Sequence, residues 1–352
     1  MRTTLAGMSV RPDFDAQQLW RLAELVALDD PSLARLELEP DGRFQTRSVS
    51  CESAARDVVA HLRGVFRDFD RDDLPHLYYA CGRARGGSTS LTNVFGIAGI
   101  PSFYQPVKAV LRHVVSGTSP AAWRIGPSQK YAFAKETFGP YTLAECLYEP
   151  LDLLIDAGYG ADKIHLILFD REPASALASW LARWSHRVAE ERLVYHFVLA
   201  GLNAQRVARR ARRHGVKTTT YVYELSKDPV YAVGKLFERL AIPALFSEAT
   251  VSDWDDRGDL ASERSSIIFP DEPEIYDVPG LHGTDVAYRF HARRVTGFPE
   301  RYASLLADLR VADGYRRSVQ ACIADLGIEA GWALRMLGHD SVDVDLGSDD
   351  AP

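Results

Sequence analysis

The chain has 352 residues, of which 46% are hydrophobic and 25% are charged, and its net charge is −7. These values are ordinary for a globular protein with a sizeable core and argue against a largely disordered chain. The last stretch, HDSVDVDLGSDDAP, carries five aspartates and no base, so the remaining chain has a net charge of only about −2 and gives no bulk argument for nucleic-acid binding.

The four cysteines are scattered without a C-x-x-C pair, and no run of eighteen apolar residues occurs. We therefore expect no disulfide framework, no metal site and no membrane span. The N-terminal stretch lacks the apolar segment of a secretory signal peptide. These features favour a cytoplasmic, reduced protein.

Residues 1–72 predict an accessory layer packed on the main domain. Helical periodicity occurs around residues 15–28 and 51–66, and Ser50 is the expected N-cap of the second helix. An alternating segment at residues 33–50 lies between them. We expect this layer to be part of the domain that follows and not an independent unit.

Residues 73–338 predict a single α/β domain. Short apolar runs alternate with helical stretches, which is typical of a parallel sheet with crossover helices. The runs lie at 76–81, 102–106, 131–135, 164–169 and 217–223, and the helical stretches at 88–97, 107–115, 142–157, 173–186, 190–214 and 229–240. Loop-like composition follows residue 245, and helices resume at 299–310 and 314–327. Residues 339–352 are predicted to be a disordered acidic tail.

The stretch CGRARGGSTSLTNVF, residues 81–95, joins the first strand of this domain to its helix. Gly86 and Gly87 permit a close backbone approach, while Ser88 and Thr89 offer hydroxyl groups at a helix N-terminus, where anions bind. The spacing approaches a P-loop, but Ser88 replaces the lysine that grips a triphosphate. The alternative is a tight turn in which Ser88 caps the helix.

The order Arg85-Gly86-Gly87-Ser88-Thr89 resembles the 5′-phosphosulfate loop of the sulfotransferases, which use 3′-phosphoadenosine 5′-phosphosulfate (PAPS). A second segment, HLILFDREPASALASWLARW, resembles the family's 3′-phosphate motif through Arg171, Pro173 and Ser179. The alternative for this second segment is a surface arginine and a small helical serine. A third segment, YVYELSKDPVYAVGKLFERLAIP, matches the family's strand ending in Tyr-Glu.

The resemblance spans residues 76–243 and implies a P-loop kinase-like three-layer sandwich with a central parallel sheet and helical additions at both ends. It implies that PAPS is bound, without metal, and that Tyr223 lies near the adenine. The implied donor-binding residues are Arg85, Gly86, Gly87, Ser88, Thr89, Ser90, Arg171, Ser179 and Tyr223. The family's Arg-Lys-Gly element is not matched beyond residue 245.

The segment YAFAKETFGPY carries the candidate catalytic residues. Lys135 matches the family's lysine and, with Arg85, would stabilise charge on the transferring group, but Thr137 replaces the family's histidine. Glu136 is the first candidate base, provided that the strand ends before it, because strand neighbours face opposite sides. The alternative is a Glu136 turned to solvent or paired with an arginine. His291 and His282 are the second-choice bases.

Gln105, Lys108 and His291 are the candidate acceptor-binding residues, although Gln105 and Lys108 could equally begin a surface helix. The predicted function is transfer of a sulfuryl group from PAPS to a hydroxyl of a small molecule, sugar or phenol. The alternatives are a P-loop kinase that uses ATP and a non-catalytic nucleotide-binding module. Neither nucleic acid nor a membrane is an expected partner, and a homodimer is left open. The strongly basic helix at residues 202–215 is interpreted as a solvated face, or as a contact for an acidic acceptor or partner.

Overall fold

The computed structural model describes residues 9–120, 123–126, 129–252, 254, 267–276, 287–292 and 299–338. The predicted acidic tail at 339–352 and His282 lie outside the described residues. In the described part of the chain, no helix is long and apolar enough to cross a membrane.

The N-terminal layer consists of two helices and a small three-stranded sheet: β1 Ser9–Val10, α1 Ala16–Leu28, β2 Glu37–Leu38, β3 Val49–Ser50 and α2 Cys51–Phe66. Ser50 is the N-cap of α2, as predicted, and its hydroxyl accepts a hydrogen bond from the Ser53 amide at 3.0 Å. The alternating segment forms only the two short strands β2 and β3. Asp41 accepts hydrogen bonds from the amides of residues 43–45 between them, which turns the chain before a longer strand can form.

The centre of the molecule is a six-stranded parallel sheet in the order β8-β7-β4-β6-β5-β9. Its strands are β4 His76–Arg83, β5 Ser102–Tyr104, β6 Tyr131–Phe138, β7 Ile164–Asp170, β8 Lys217–Val222 and β9 Ile267–Ile268. The predicted α/β class with a parallel sheet is confirmed. The first five strands form where the apolar runs predict them, whereas the two-residue β9 carried no usable pattern.

Helices cover both faces of the sheet, because successive residues of each strand point to opposite sides and both sides are apolar. In β4, Tyr78 and Ala80 belong to one apolar cluster, and Leu77, Tyr79 and Cys81 to the other. The first cluster contains buried side chains of α3 Ser88–Ile97, α9 Pro229–Arg239, α10 Ala249–Ser252, α12 Val311–Leu326 and α13 Ala330–Leu337.

The second cluster joins the N-terminal helices to the sheet. Leu22 of α1 and Val58 of α2 lie in the same cluster as Leu77 and Tyr79 of β4, so the N-terminal layer shares its core with the main domain. The remaining helices with buried side chains in this cluster are α4 Pro106–Ser116, α5 Leu143–Leu147, α6 Pro150–Asp156, α7 Pro173–Trp184, α8 Glu190–Arg213 and α11 Glu300–Asp308.

The single helix predicted at 142–157 is wrong, because the structure has two helices there, α5 and α6. Pro150 is the first residue of α6, where its missing N–H costs no helical hydrogen bond. A proline disfavours the helical conformation of the residue before it, and Glu149 indeed has φ −116° and ψ 80°. The break therefore follows from one proline that the periodicity alone did not register.

Candidate functional site

The candidate site lies at the carboxyl edge of the sheet, between the ends of β4 and β7. These strands are neighbours, yet α3 after β4 packs on one face, while α7 after β7 packs on the other. The chain therefore leaves the edge in opposite directions, and open α/β sheets bind their ligands in the crevice at such a point. The loop at 84–87 and the turn at 171–172 border this crevice.

The loop at 84–87 enters α3 through left-handed backbone. Arg85 has φ 68° and Gly87 has φ 82°, and Gly87 is the N-cap of α3. Ser88 is therefore the first helical residue, so the alternative in which its side chain caps the helix is wrong. Ser88 is buried, whereas Thr89 and Ser90, in the same turn, are partly exposed. The hydroxyls and free amides of this turn can receive an anion.

The two loop glycines are required by aromatic rings of the chain itself. A Cβ on Gly86 would lie 2.7 Å from Cδ2 of Phe169, and a Cβ on Gly87 would lie 2.2 Å from Cδ2 of Tyr223. No side chain fits at either distance without movement of the ring. The sequence had explained these glycines by the approach of a ligand, but close packing inside the protein already excludes a larger residue.

The residues predicted for two phosphate contacts meet beside this loop. Arg85 donates from Nε to Ser179 Oγ at 2.9 Å, and Arg171 donates from Nη1 to the Arg85 carbonyl at 3.3 Å. The Arg171 guanidinium lies 4.5 Å from the ring centre of Tyr223. Arg171 also donates from Nη2 to the carbonyl of His291 at 3.0 Å. The structure thus brings together three of the predicted segments and the His291 backbone.

Tyr223 holds the segment at residues 287–292 against the same arginine. Its hydroxyl donates to the Arg289 carbonyl at 3.2 Å and accepts from the His291 amide at 3.0 Å. Its ring also packs 5.3 Å from the ring of Phe290. The side chain of His291 is exposed, and its backbone N–H and carbonyl contact Tyr223 and Arg171.

Lys135 reaches the loop from the neighbouring strand β6. Its Nζ lies 3.4 Å from both Ser88 Oγ and Thr89 Oγ1, and 3.7 Å from the ring centre of Tyr104. The side chain is 2% exposed. Burial, reinforced by the charge of Lys108, lowers the pKa of Lys135 well below its usual range. An anion held at these hydroxyls would favour the charged form of the lysine again.

Glu136 lies on the opposite side of β6 from Lys135. The condition for both residues to reach the crevice is not met, because β6 continues to Phe138. The Glu136 carboxylate accepts hydrogen bonds from the amides of Val107 at 2.8 Å and Lys108 at 3.1 Å, and from the Tyr148 hydroxyl at 2.9 Å. It is fully buried, and burial raises its pKa to about 7. These contacts make it an anchor for the N-terminus of α4.

A row of hydrogen-bonded polar side chains next to Lys135 contains two of the predicted acceptor-binding residues. Thr137 lies two residues beyond Lys135 on β6, and its hydroxyl donates to the side-chain oxygen of Gln105. Lys108 donates to Thr137 Oγ1 at 3.3 Å and to the carbonyl of Gly139. All three side chains are buried, and burial lowers the pKa of Lys108 to about 8. Gln105 and Lys108 therefore do not begin a surface helix.

A buried ionic cluster that the sequence did not reveal lies beside these hydrogen-bonded side chains. Arg112 donates to Glu145 at 2.6 Å and to Glu272 at 2.5 Å, and its guanidinium lies 4.4 Å from the ring centre of Tyr276. Glu145 also lies 3.9 Å from Lys108 Nζ. The helical spacing of Lys108 and Arg112 was the available signal, because residues four apart share a helix face.

Comparisons of the chain with protein-family models, with curated proteins and with solved structures found no match. Among the described residues, no cluster of three or more histidine, cysteine, aspartate or glutamate side chains has the arrangement of a metal site.

Proposed function

We propose that the protein is a sulfotransferase that transfers the sulfuryl group of PAPS to a hydroxyl of a small molecule. The observation that carries this proposal is the position of Lys135, whose Nζ lies at the hydroxyls of Ser88 and Thr89 and would carry a positive charge once an anion is bound there. In a P-loop the cation for the phosphate chain comes from the loop itself. Here Ser88 occupies that position, and the cation comes from the adjacent strand. This arrangement suits one phosphosulfate group better than a triphosphate held with magnesium.

Each donor-binding residue has a distinct role in this proposal. The amides and hydroxyls at the start of α3 bind the 5′-phosphosulfate, and Arg171 with Ser179 binds the 3′-phosphate. Arg85 links the 5′-phosphosulfate contact to the 3′-phosphate contact, since it is hydrogen-bonded to Ser179 and Arg171 in the structure. The central position of β4, followed by the loop and α3, supports a P-loop-type fold.

The reaction is an in-line displacement at sulfur. A bond forms between the acceptor oxygen and sulfur, the bond from sulfur to the 5′-phosphate oxygen breaks, and the acceptor loses its proton. Lys135 stabilises the negative charge that develops on the departing oxygen. Thr137 and Gln105 orient the acceptor hydroxyl by hydrogen bonds.

Lys108 is the group that receives the acceptor proton in this proposal. Its pKa of about 8 lies in the range to which enzymes tune a basic lysine. It is hydrogen-bonded to Thr137, on the same side of β6 as Lys135. Glu136, the first candidate from the sequence, is replaced in this role because its carboxylate is occupied by α4 and Tyr148.

Calorimetric titration with adenosine 3′,5′-bisphosphate and with ATP plus magnesium tests the proposal. We expect the bisphosphate to bind at least tenfold more tightly than ATP, and Arg171→Gln to weaken it by about ten- to a hundredfold, the value of a charge-assisted contact. Arg56→Gln is the matched control, because Arg56 is exposed on α2 and pairs only with Glu52 among the described residues. Tighter binding of ATP with magnesium, or equal effects of the two variants, would reject the assignment.

A further inference from the structure

A second cavity, of about 460 Å³, lies between α8 and α12 at the ends of β4 and β7. It is separate from the crevice described above, since Arg85, Ser88, Lys135 and Arg171 are absent from its described walls. Most of its lining residues in α8 lie in the basic stretch at 202–215 that the sequence singled out. Volumes of this size are typical of small-molecule sites.

The walls of the cavity are strongly basic. Five arginines line it, against the single carboxylate of Asp170: Arg83, Arg209, Arg212, Arg310 and Arg317. Asp170 is already engaged, because it accepts hydrogen bonds from Arg83 at 2.7 Å and from the Ser318 hydroxyl at 2.9 Å. The positive charge of the remaining lining is therefore not balanced within the cavity.

Other arginines of α8 hold the helix in place and are not available to a ligand. Arg206 pairs with Glu149, and Arg210 pairs with Asp29 and Asp152. Arg209 lines the cavity, but its Nη2 donates to the carbonyl of Ala27 at the end of α1, at 2.9 Å. The charge that faces the opening of the cavity therefore comes from Arg212, Arg310 and Arg317, which are exposed.

Arg83 supplies the buried end of the cavity. Its side chain is 5% exposed, and its guanidinium packs 4.3 Å from the ring centre of Phe197. Nη2 is bound to Asp170, whereas Nη1 is buried without a hydrogen-bond partner among the described residues. A Cβ on Gly201, which also lines the cavity, would lie 3.4 Å from Nη1. The Arg83 side chain therefore packs closely against α8 at this glycine.

We propose that this cavity binds a small molecule with an anionic head, such as a phosphate or sulfate ester, and an apolar body. The head pairs with the arginines of the lining, whose positive charge the single carboxylate of Asp170 does not balance. The body contacts the apolar part of the lining, which consists of Leu168, Val198, Leu202, Leu309 and Val311. The three exposed arginines attract the anion to the opening. The site does not depend on the function proposed for the crevice.

Titration of the full chain with phenyl phosphate, followed by calorimetry, tests the cavity. We expect saturable one-to-one binding, and binding of phenol at least tenfold weaker. Arg83→Met should weaken phenyl phosphate by at least tenfold, because it removes the positive charge at the buried end of the cavity and leaves Asp170 without its arginine partner. Equal affinity for phenol and phenyl phosphate would overturn the proposal.

A pair of variants on α12 keeps the test independent of folding. Arg317 lines the cavity, whereas its neighbour Arg316 does not and pairs with Asp313. Both arginines are exposed, and both substitutions remove one positive charge from the same helix. Arg317→Gln should weaken phenyl phosphate about three- to tenfold, and Arg316→Gln should leave it unchanged. Equal effects of the two variants would overturn the proposal.

A competition experiment separates this site from the crevice. Phenyl phosphate should bind with unchanged affinity when adenosine 3′,5′-bisphosphate is present in excess, and Lys135→Met should not affect it. Loss of phenyl phosphate binding in either case would place the anion in the crevice and overturn a separate site. If the bisphosphate does not bind at all while phenyl phosphate does, the proposed function fails and the cavity stands.

Discussion

Arg85 and Ser179 are hydrogen-bonded to each other at 2.9 Å, which joins the loop after β4 to the second turn of α7. The sequence assigned these residues to contacts with two different phosphate groups. Because Arg171 also binds the Arg85 carbonyl, the two contacts form one unit. A substitution at one of the two phosphate contacts should therefore weaken the other contact as well.

Ser179→Ala tests this coupling. Loss of the hydroxyl removes one hydrogen bond to the Arg85 guanidinium, and we expect adenosine 3′,5′-bisphosphate to bind about two- to tenfold more weakly. In a double-mutant cycle with Arg85→Met, the two effects should not add, because residues in direct contact are coupled. Ser175→Ala, one turn earlier on α7, is the control and should bind like the parent. Additive effects in the cycle would contradict the coupling.

The β-strands around the site were predictable because each is a short apolar run buried on both faces. Strand β7, Ile164–Asp170, matches the prediction of 164–169 almost residue for residue. Gly86, Gly87 and Arg171 stood out in the sequence because glycine-rich turns and charged residues at strand ends are local features, and their donor-binding roles stay predictions. The strands and these local motifs could be found from the sequence because each depends on only a few adjacent residues.

The orientation of Glu136 could not be predicted, because it depends on where β6 ends. The strand continues past Lys135 to Phe138, which turns Glu136 away from the crevice. Its three hydrogen-bond donors come from α4 and from Tyr148, which are distant in the sequence. The partners of Arg83 and the cavity around it likewise arise from α8 and α12. Contacts of this kind require the folded chain.

The loop glycines provide a test of packing with an internal control. Gly87 and Gly99 both have φ 82°, but a Cβ on Gly99 would meet nothing within 4 Å, whereas one on Gly87 would overlap the Tyr223 ring. Gly99→Ala should lower the free energy of unfolding by about 1–2 kcal/mol, the cost of the left-handed conformation. Gly87→Ala should lower it further, as measured by urea denaturation.

The additional cost at Gly87 should depend on Tyr223. Combining Gly87→Ala with Tyr223→Ala should therefore cost less than the sum of the single changes, whereas Gly99→Ala should simply add to Tyr223→Ala. If Gly87→Ala and Gly99→Ala are equally destabilising, Tyr223 does not pack against the loop as described.

Glu136→Gln should act on stability and leave nucleotide binding unchanged. The amide nitrogen of glutamine cannot accept hydrogen bonds from the α4 amides, so we expect a loss of about 1–3 kcal/mol. The raised pKa of Glu136, about 7 in the folded protein, predicts how this loss varies with pH. The folded state retains the proton more strongly than the unfolded state, so the stability from this group is present below pH 4.5 and declines up to about pH 7.

Urea denaturation of the parent and of Glu136→Gln between pH 4 and pH 8 measures this dependence. The advantage of the parent should be largest at the acidic end and should shrink through neutrality. A constant difference across this range would show that Glu136 has a normal pKa. A loss of adenosine 3′,5′-bisphosphate binding in the folded variant would show that Glu136 contributes to the candidate site after all.

Lys108 can be tested as the proton acceptor through the pH dependence of turnover. Only the neutral amine accepts a proton, so kcat should rise with pH to a plateau above its pKa of about 8. Lys108→Met should lower kcat by about 10² to 10⁴ and leave bisphosphate binding unchanged. A pH dependence of kcat that Lys108→Met retains and His291→Ala removes would assign the proton to His291 instead.

Lys135 should take up a proton when the nucleotide binds. In the free protein its pKa is lowered well below its usual range by burial, and a bound phosphate near Ser88 and Thr89 would raise it by direct charge attraction. Proton uptake is therefore expected at every pH between the pKa of Lys135 in the free protein and its pKa in the nucleotide complex. Calorimetry of adenosine 3′,5′-bisphosphate at a series of pH values, in buffers of different ionisation enthalpy, measures the number of protons taken up. Lys135→Met should abolish the uptake, whereas Lys235→Met, at a partly exposed position of α9, should retain it. An uptake unchanged in Lys135→Met would place the titrating group elsewhere.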